Sequence, residues 1–479
     1  MVAEAKCAFR LERPWPFDLL DSGCQFAPSA LVEQDGRLWC RFRLPPKRGV
    51  PNTIDGEIER GLLRQCEAWN GKGYPLDLTG IVLRSGFDLS GVLTHVEAKS
   101  VCLANSIIGE GARIEGINFK DRFSLLNAEV GDHVSFGGSK FPERATFSNA
   151  RFGDSVSFKN TQFLKLANFT GCSFGEEDSF EEARFGVQAL FDKTVGISVS
   201  FVRARFGNGL HFERTRFLNA DFSGSCIDPV IRFRGAAIEF ALFGAKSPRE
   251  PGETSASFSS IDFSSAVFGE SEFGNRKFDG STDFSFAVFD EVPNFHGCTF
   301  HSDVRFRGTE FRDTHSAGAP AAYRVLKQAM EGLRAHDEQA MFFALQQRSQ
   351  RHQLARTDPV RWFSALYDLT TEYGQSLGRP LVALAMVIVG FASLYEMLSY
   401  LAGKPVPGDG LSFAIEQIAR PFGIWSPRYL DGNGIVVWTE YLLENGGVLF
   451  RLLATAESVA GLALVALFLL ALRRRFKLD

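Results

Sequence analysis

The 479-residue chain is poor in the groups that usually carry chemistry. It has no HExxH or P-loop string, and its eight histidines are dispersed. "GEGARIEG" (109–116) has glycines but reads as turn sequence, not as a nucleotide loop. The eight cysteines, at 7, 24, 40, 66, 102, 172, 226 and 298, form no CxxC pair. That argues against a zinc ribbon or a disulfide frame and suits small core residues in a reducing compartment. No catalytic, metal-binding or cofactor-binding residue can be assigned, and neither enzymatic activity nor a cofactor is expected. An excess of one charge is missing too: the net charge is −4, so no nucleic-acid partner is expected. The N-terminus has no apolar h-region, which predicts no signal peptide. Tyrosine and tryptophan are scarce, at 8 and 6.

Phenylalanine is abundant, at 47 residues. Phe has no polar handle, so the excess points to buried, repeated positions rather than a Tyr- and Trp-rich binding surface. From Phe136 the positions run 141, 147, 152, 158, 163, 169, 174, 180, 185 and 191. A gap falls at Gly196, then 201, 206, 212, 217 and 222 follow; a second block runs from 258 to 311. Steps alternating between five and six fit neither a helix nor a strand and mark a solenoid. Two positions before most of these Phe lies a small or β-branched residue, such as Ala145, Val156, Thr161 or Ala220. One large and one small inward residue per step suits a very narrow tube.

"ANFTG" (167–171) and "ADFSG" (220–224) closely match the unit of the pentapeptide-repeat family, which the chain resembles over residues 78–311. The resemblance implies a mainly β fold, a right-handed quadrilateral β-helix with four faces per coil. A coil would take about 22 residues, with the extra residues bulging outward so that the inward ladder stays aligned. At about 4.8 Å per rung this makes about ten coils. Residues 78–135 keep the rhythm in degenerate form, "FDLSGVL" included, and 244–257 reads as a loop interrupting the stack. Asp178, Asp221 and Asp283 fall on outward or corner positions and are expected to be solvated. Residues 1–77 read as a cap, with a strand at "RLWCRFRL" and an amphipathic helix at "DGEIERGLLRQCEAW".

Residues 312–380 turn helical and amphipathic, as one long or two short helices and then a helix with Thr357 as N-cap. Trp362, Phe363 and Tyr367 suit either a bilayer surface or a cap over the last coil. Residues 381–479 read as a two-span membrane domain, with apolar stretches at 381–402 and 448–472 long enough to cross a bilayer. The closing "RRRFK" and the arginines between 348 and 379 place both termini and the solenoid in the cytoplasm of the plasma (inner) membrane. This tail also resembles that of membrane-bound pentapeptide-repeat proteins, similar in layout to two-span pore-loop channels. Between the spans, a re-entrant segment is a candidate, with Glu416, Arg420, Pro421 and Gly423 in it; a helix lying in the outer interface is the other reading. Glu396, Arg451 and Glu457 are the candidate intramembrane polar residues. Two readings stand: Glu396 and Arg451 at the outer headgroups, or Glu457 paired with Arg451 across helices or lining a polar path. Ala456, Ala460 and Gly461 offer close packing between copies.

Three functions are weighed: a membrane-tethered scaffold for an unknown cytoplasmic protein partner, an oligomeric two-span channel regulated by the solenoid, and a DNA-mimicking topoisomerase modulator. Balanced charge and the tether disfavour the last. Membrane lipid and a homo-oligomer are the other expected associations.

Overall fold

The computed structural model describes residues 31–34, 37–40, 76–83, 85–94, 100–227, 230–245, 257–401, 409–422 and 447–476. The chain divides into two compact units, Met1–Asp313 and Thr314–Asp479. In the first, β1 (Leu31–Gln34) and β2 (Arg37–Cys40) pair as an antiparallel hairpin, which accounts for the strand expected around "RLWC". The helix expected at 55–69 lies outside the described residues.

From Leu76 to Phe311 the chain winds as a parallel β-solenoid of very short strands. One face carries eleven rungs, from Leu76–Asp77 to Val304–Arg305. Two further faces are sheets, and a fourth is closed in part by single parallel bridges such as Ser135↔Ser157↔Ser179. Four inward columns of aromatic rings fill the interior. Phe147 stacks on Phe169 at 4.4 Å and Phe169 on Phe191 at 4.8 Å, the rings within 4° of parallel. The other columns repeat this at Phe136–Phe158 (4.7 Å), Phe141–Phe163 (5.0 Å) and Phe152–Phe174 (5.1 Å). Neighbouring columns meet edge to face, as Phe147 does with Phe158 at 5.4 Å and 90°. Both geometries are favoured by the ring quadrupole, and the stacking distance equals the rung spacing of about 4.8 Å. That match is why Phe can recur at every coil. The small inward residues sit between the columns: Ala145, Val156, Ala167 and Ala204 are fully buried. Polar ones donate to the chain beneath, as Thr161 does to the Phe136 carbonyl and Cys172 to that of Phe147. Burial pushes the Cys172 thiol up, and Cys102, Cys172, Cys226 and Cys298 are not in disulfides.

The extra residues do bulge outward. Asp132, Asp154 and Glu176 lie exposed at successive corners, where Asp132 accepts from the Asp154 amide and Asp154 from that of Glu176. Another corner is built from Asn105, Asn127 and Asn149 in the left-handed conformation, their amides linked rung to rung at 3.3 Å. Gly171 continues this line at φ +72°, and an added Cβ would lie 2.5 Å from the Asn149 side-chain oxygen. The Gly196 gap has a packing reason: the ring of Phe217 leans in, 3.0 Å from where a Cβ would stand. One degenerate repeat leaves the ladder after Phe87 and Asp88, which still pair with Arg113. "FDLSGVL" ends in a short helix, α1 (Leu89–Thr94), whose first amides are capped by Asp88. A capping Asp and non-periodic Leu favour a helical turn over a strand there.

The interruption is shorter than 244–257. Gly244, Ala245 and Ser257 remain on the ladder, through Gly224 N–H to the Gly244 carbonyl, Ala245 N–H to Gly274, and Ser257↔Lys277. Beside it lies a guanidinium inside the solenoid. Arg276 is fully buried at a small-residue position. Its Nε donates to the Phe243 carbonyl, Nη1 to Ser225 (2.6 Å) and Nη2 to Phe222 (3.0 Å), with the charge 4.3 Å from the Phe258 ring centre. Burial pushes its pKa down to about 10, so it stays charged near neutrality. Interrupting the column opens carbonyls to the interior, and a side chain with several donors satisfies them together. Replacing Arg276 by Met leaves these acceptors unmet, and the expected loss is about 3 kcal/mol or more in urea unfolding followed by circular dichroism; an unchanged midpoint would contradict this role.

In the second unit, α2 (Ala319–Gly332) and α3 (His336–Gln353) are two short helices, separated where Arg334 takes a left-handed conformation. Tyr323, Leu326, Met330 and Phe342 form their buried face. α4 (Pro359–Thr371) is capped by Asp358, one residue later than Thr357. Two long helices, α5 (Gly378–Leu401) and α7 (Gly447–Phe476), enclose the shorter α6 (Asp409–Ala419).

Candidate functional site

Coil length changes midway along the solenoid. The rungs Glu129, Arg151, Ser173 and Val195 are 22 residues apart, whereas Val195, Arg216 and Ala237 are 21 apart. The lost residue is the bulge between the face of Phe152 and Phe174 and the bridged face of Ser157 and Ser179. With it gone, the chain runs straight through the corner as β3 (Val195–Ser200), β4 (Arg216–Asp221), β5 (Ala237–Leu242) and β6 (Val267–Glu272). These four strands form a flat, continuous surface two faces wide.

Its side chains fall in register as two columns: Ser198, Asn219, Phe240, Glu270 and Ser200, Asp221, Leu242, Glu272. Large apolar side chains stand out from it, with Ile197, Leu218, Phe240 and Leu242 each 42–48% exposed. Most rings of the solenoid point inward; Phe286, at 60%, is another that is exposed. A groove of about 650 Å³ crosses the surface. Its lining includes Glu177, Glu181, Asp221 and Glu270, against one basic residue, Lys159, which is paired with Glu181 at 3.1 Å.

At the end of this surface lies Asp178, and here the solvated reading fails. Its side chain points inward and is 1% exposed, in the position that Val134 and Val156 occupy in the preceding coils. Oδ1 accepts from the Val156 amide at 2.7 Å and Oδ2 from that of Gly175 at 2.8 Å. In earlier coils the amide equivalent to Gly175 N–H is met by the rung below, as Gly153 N–H is by the Val130 carbonyl. At Gly175 the Asp178 carboxylate takes that place, one coil before the length changes. Asp221 and Asp283 are outward, as expected, accepting from the amides of Ser223 and Ser285. Spacing does hold a signal for the junction, the shortening from six (Phe174 to Phe180) to five (Gly196 to Phe201); nothing in the pattern announces Arg276.

The second unit holds the intramembrane candidates. Two segments, Gly378–Leu398 and Leu452–Arg473, are long and apolar enough to cross a membrane, and only 11% and 22% of their apolar windows is buried. Core helices of a soluble unit would be largely covered. Glu457 is fully buried, and its Oε2 accepts from the Tyr395 hydroxyl at 2.6 Å. Tyr395 meets the Phe413 ring edge to face at 4.8 Å. Ser458 donates to the Gln417 carbonyl, and Glu416 and Gln417 are buried beside it on α6. α6 is therefore wedged between the long helices: a Cβ on Gly410 would lie 2.6 Å from the Ala392 carbonyl, and one on Gly461 would lie 2.7 Å from Ile418. Gly461 thus serves packing within the chain. Ala460 lines an apolar groove of about 550 Å³ with Gly390, Leu394 and Leu467. Glu396 is exposed, as are Arg420 and Pro421 in a 3-10 turn after α6. Arg451 precedes Glu457 by six residues on α7, roughly 240° around the helix, so the two do not share a face. The side chain of Arg451, and Gly423 altogether, lie outside the described residues.

Ahead of the first long helix, α4 exposes Trp362, Phe363, Leu366 and Leu369, the first two at 70% and 72%. Tyr367 turns to Tyr373 instead, at 5.4 Å. α4 is tied to α3 by Asp368, which accepts from Arg348 (2.8 Å) and Arg351 (3.0 Å). Burial works against the charge of Asp368, yet the two guanidiniums hold its carboxyl below the usual range.

Among the described residues, no group of His, Cys, Asp and Glu could hold a metal ion. Neither family models, nor curated proteins, nor solved structures give a match to this chain.

Burial pushes the Asp178 carboxyl up to about 7, against its two amide donors and helped by Asp154 and Asp132. The folded state then binds a proton that the unfolded chain releases near pH 4, so this contribution is full below about pH 4 and lost as pH rises through about 7. Melting curves of wild type and Asp178→Asn should therefore differ with pH, wild type losing stability relative to the variant between about pH 4 and 7. A difference constant over that range would refute it.

Proposed function

We propose that the chain is a membrane-anchored pentapeptide-repeat protein whose solenoid is a cytoplasmic scaffold for another protein, and that it is not an enzyme. The observation that carries this reading is the apolar cluster of Ile197, Leu218, Phe240 and Leu242 on the flat four-stranded surface. An exposed apolar patch with a polar rim marks an interaction site more often than chance packing. The interior, filled by stacked rings, leaves no room for a small ligand. Anchoring is supported by the two exposed apolar helices and by α4, whose outward Trp, Phe and Leu suit an interfacial helix. Arginines near the spans and the "RRRFK" close support cytoplasmic termini.

A second reading, an oligomeric channel, is favoured by one observation: buried Glu457, Glu416 and Gln417 lie where α6 wedges between the candidate spans. Ile418 touches Gly461, nine residues past Leu452 and so about 13 Å along the helix, which supports the re-entrant reading over the interfacial one.

Alkaline carbonate extraction should leave the full chain in the membrane pellet. Leu218→Asp with Phe240→Asp should remove co-purifying protein without changing that recovery. An unchanged set of bound proteins would contradict the scaffold. In planar bilayers, current that changes ion preference in Glu457→Gln would establish the channel, and absence of current would dismiss it.

A further inference from the structure

Three features of the flat surface limit what it can hold. First, its strands are paired on both sides, β3 with β4, β4 with β5 and β5 with β6, with further rungs beyond. The main-chain groups are spent, so a partner cannot add as another strand and must be gripped through side chains. Secondly, the register places Phe240 between Asn219 and Glu270, and Leu242 between Asp221 and Glu272. Each apolar side chain thus has a carboxylate one rung, about 5 Å, away. Thirdly, the groove is acidic. Glu272 is engaged with the Gly274 amide and the Asn294 side chain, and Lys159 with Glu181. Glu270 and Glu177 are exposed, and Asp221 is half-buried.

We propose that the Phe240–Leu242 groove binds a segment of a partner protein in which Lys or Arg side chains are interleaved with apolar ones. This rests on the scaffold reading. Long basic side chains lay their methylene stems on apolar surface and keep the charge at its edge. On Phe240 the head group of such a residue reaches Glu270, and on Leu242 it reaches Asp221. The Phe240 ring adds a cation–π contact. Apolar residues of the segment cover Leu242 and Leu218, and Ser198 and Asn219 offer hydrogen bonds. Phosphate-bearing surfaces, whether lipid headgroups or nucleic acid, meet carboxylates here and are repelled.

The test uses the detergent-solubilised full chain and a short fluorescent peptide alternating Lys or Arg with Leu and Phe, beside a copy carrying Glu at each basic position. The basic peptide should bind, with affinity weakened ~10-fold or more by Phe240→Ser with Leu242→Ser, by Glu270→Lys, and by high salt. Equal binding to all variants, or equal binding of the acidic copy, overturns the proposal. A photoreactive phenylalanine analogue at position 240 then reports the natural contact in cells. Adducts on a basic, apolar segment of another protein support the proposal. Adducts on acidic or neutral segments overturn it and leave the scaffold standing. Adducts confined to a second copy, or to residues 246–256 of the same chain, overturn it as well. No adduct at all removes the scaffold reading with it.

Discussion

The solenoid depends on one coincidence of lengths: aromatic rings stack at the distance that hydrogen-bonded strands keep. Phe147, Phe169 and Phe191 sit 4.4 and 4.8 Å apart because consecutive rungs do. Once four such columns share a narrow lumen, each coil must return every ring to its own column. Chain length becomes negotiable only at the corners. The outward bulges at Asp132 and Asp154, the asparagine corner at Asn127 and Asn149, and the straightened corners of β3 to β6 are answers to that one requirement.

Departures from the pattern show what misalignment costs. Asp178 stands beside the change in coil length, accepting from two backbone amides. Arg276 stands where the column is interrupted, holding three carbonyls. Both are ionisable groups in an interior that would exclude them if they had no partners. The shorter coils that follow Asp178 carry Phe240 and Leu242 outside, on a surface broad enough to dock a partner. Structure and proposed function thus share an origin in a single dropped residue per coil.

The spacing of Phe residues made the solenoid, its four faces and its outward bulges legible, because the inward period is rigid and one residue type serves it. Glycine at 196 was legible as a gap, though not the leaning of Phe217 that explains it. Asp178 was misread on its charge: it stands two positions before Phe180, the inward small-residue position that Val156 holds before Phe158. Arg276 was missed, since a Phe ladder carries no mark of which small position must satisfy carbonyls. "FDLSGVL" kept an apolar rhythm that a capped helix satisfies equally. In the second unit, length and hydropathy marked the two long helices, and the break between α2 and α3 was left open between one helix and two. The pairing of Glu457 with Tyr395 joins residues 62 apart in sequence, beyond the reach of local pattern.

The account stands on column alignment with tolerant corners, and single-residue insertions test it most directly. Inserting Asp between Ile197 and Ser198 restores the longer corner, whereas inserting it between Ala220 and Asp221 separates an inward Ala from its Phe222 column. Thermal melting of the full chain, followed by circular dichroism, should show the first insertion nearly as stable as wild type and the second strongly destabilised. Equal tolerance of both, or equal loss from both, would contradict it.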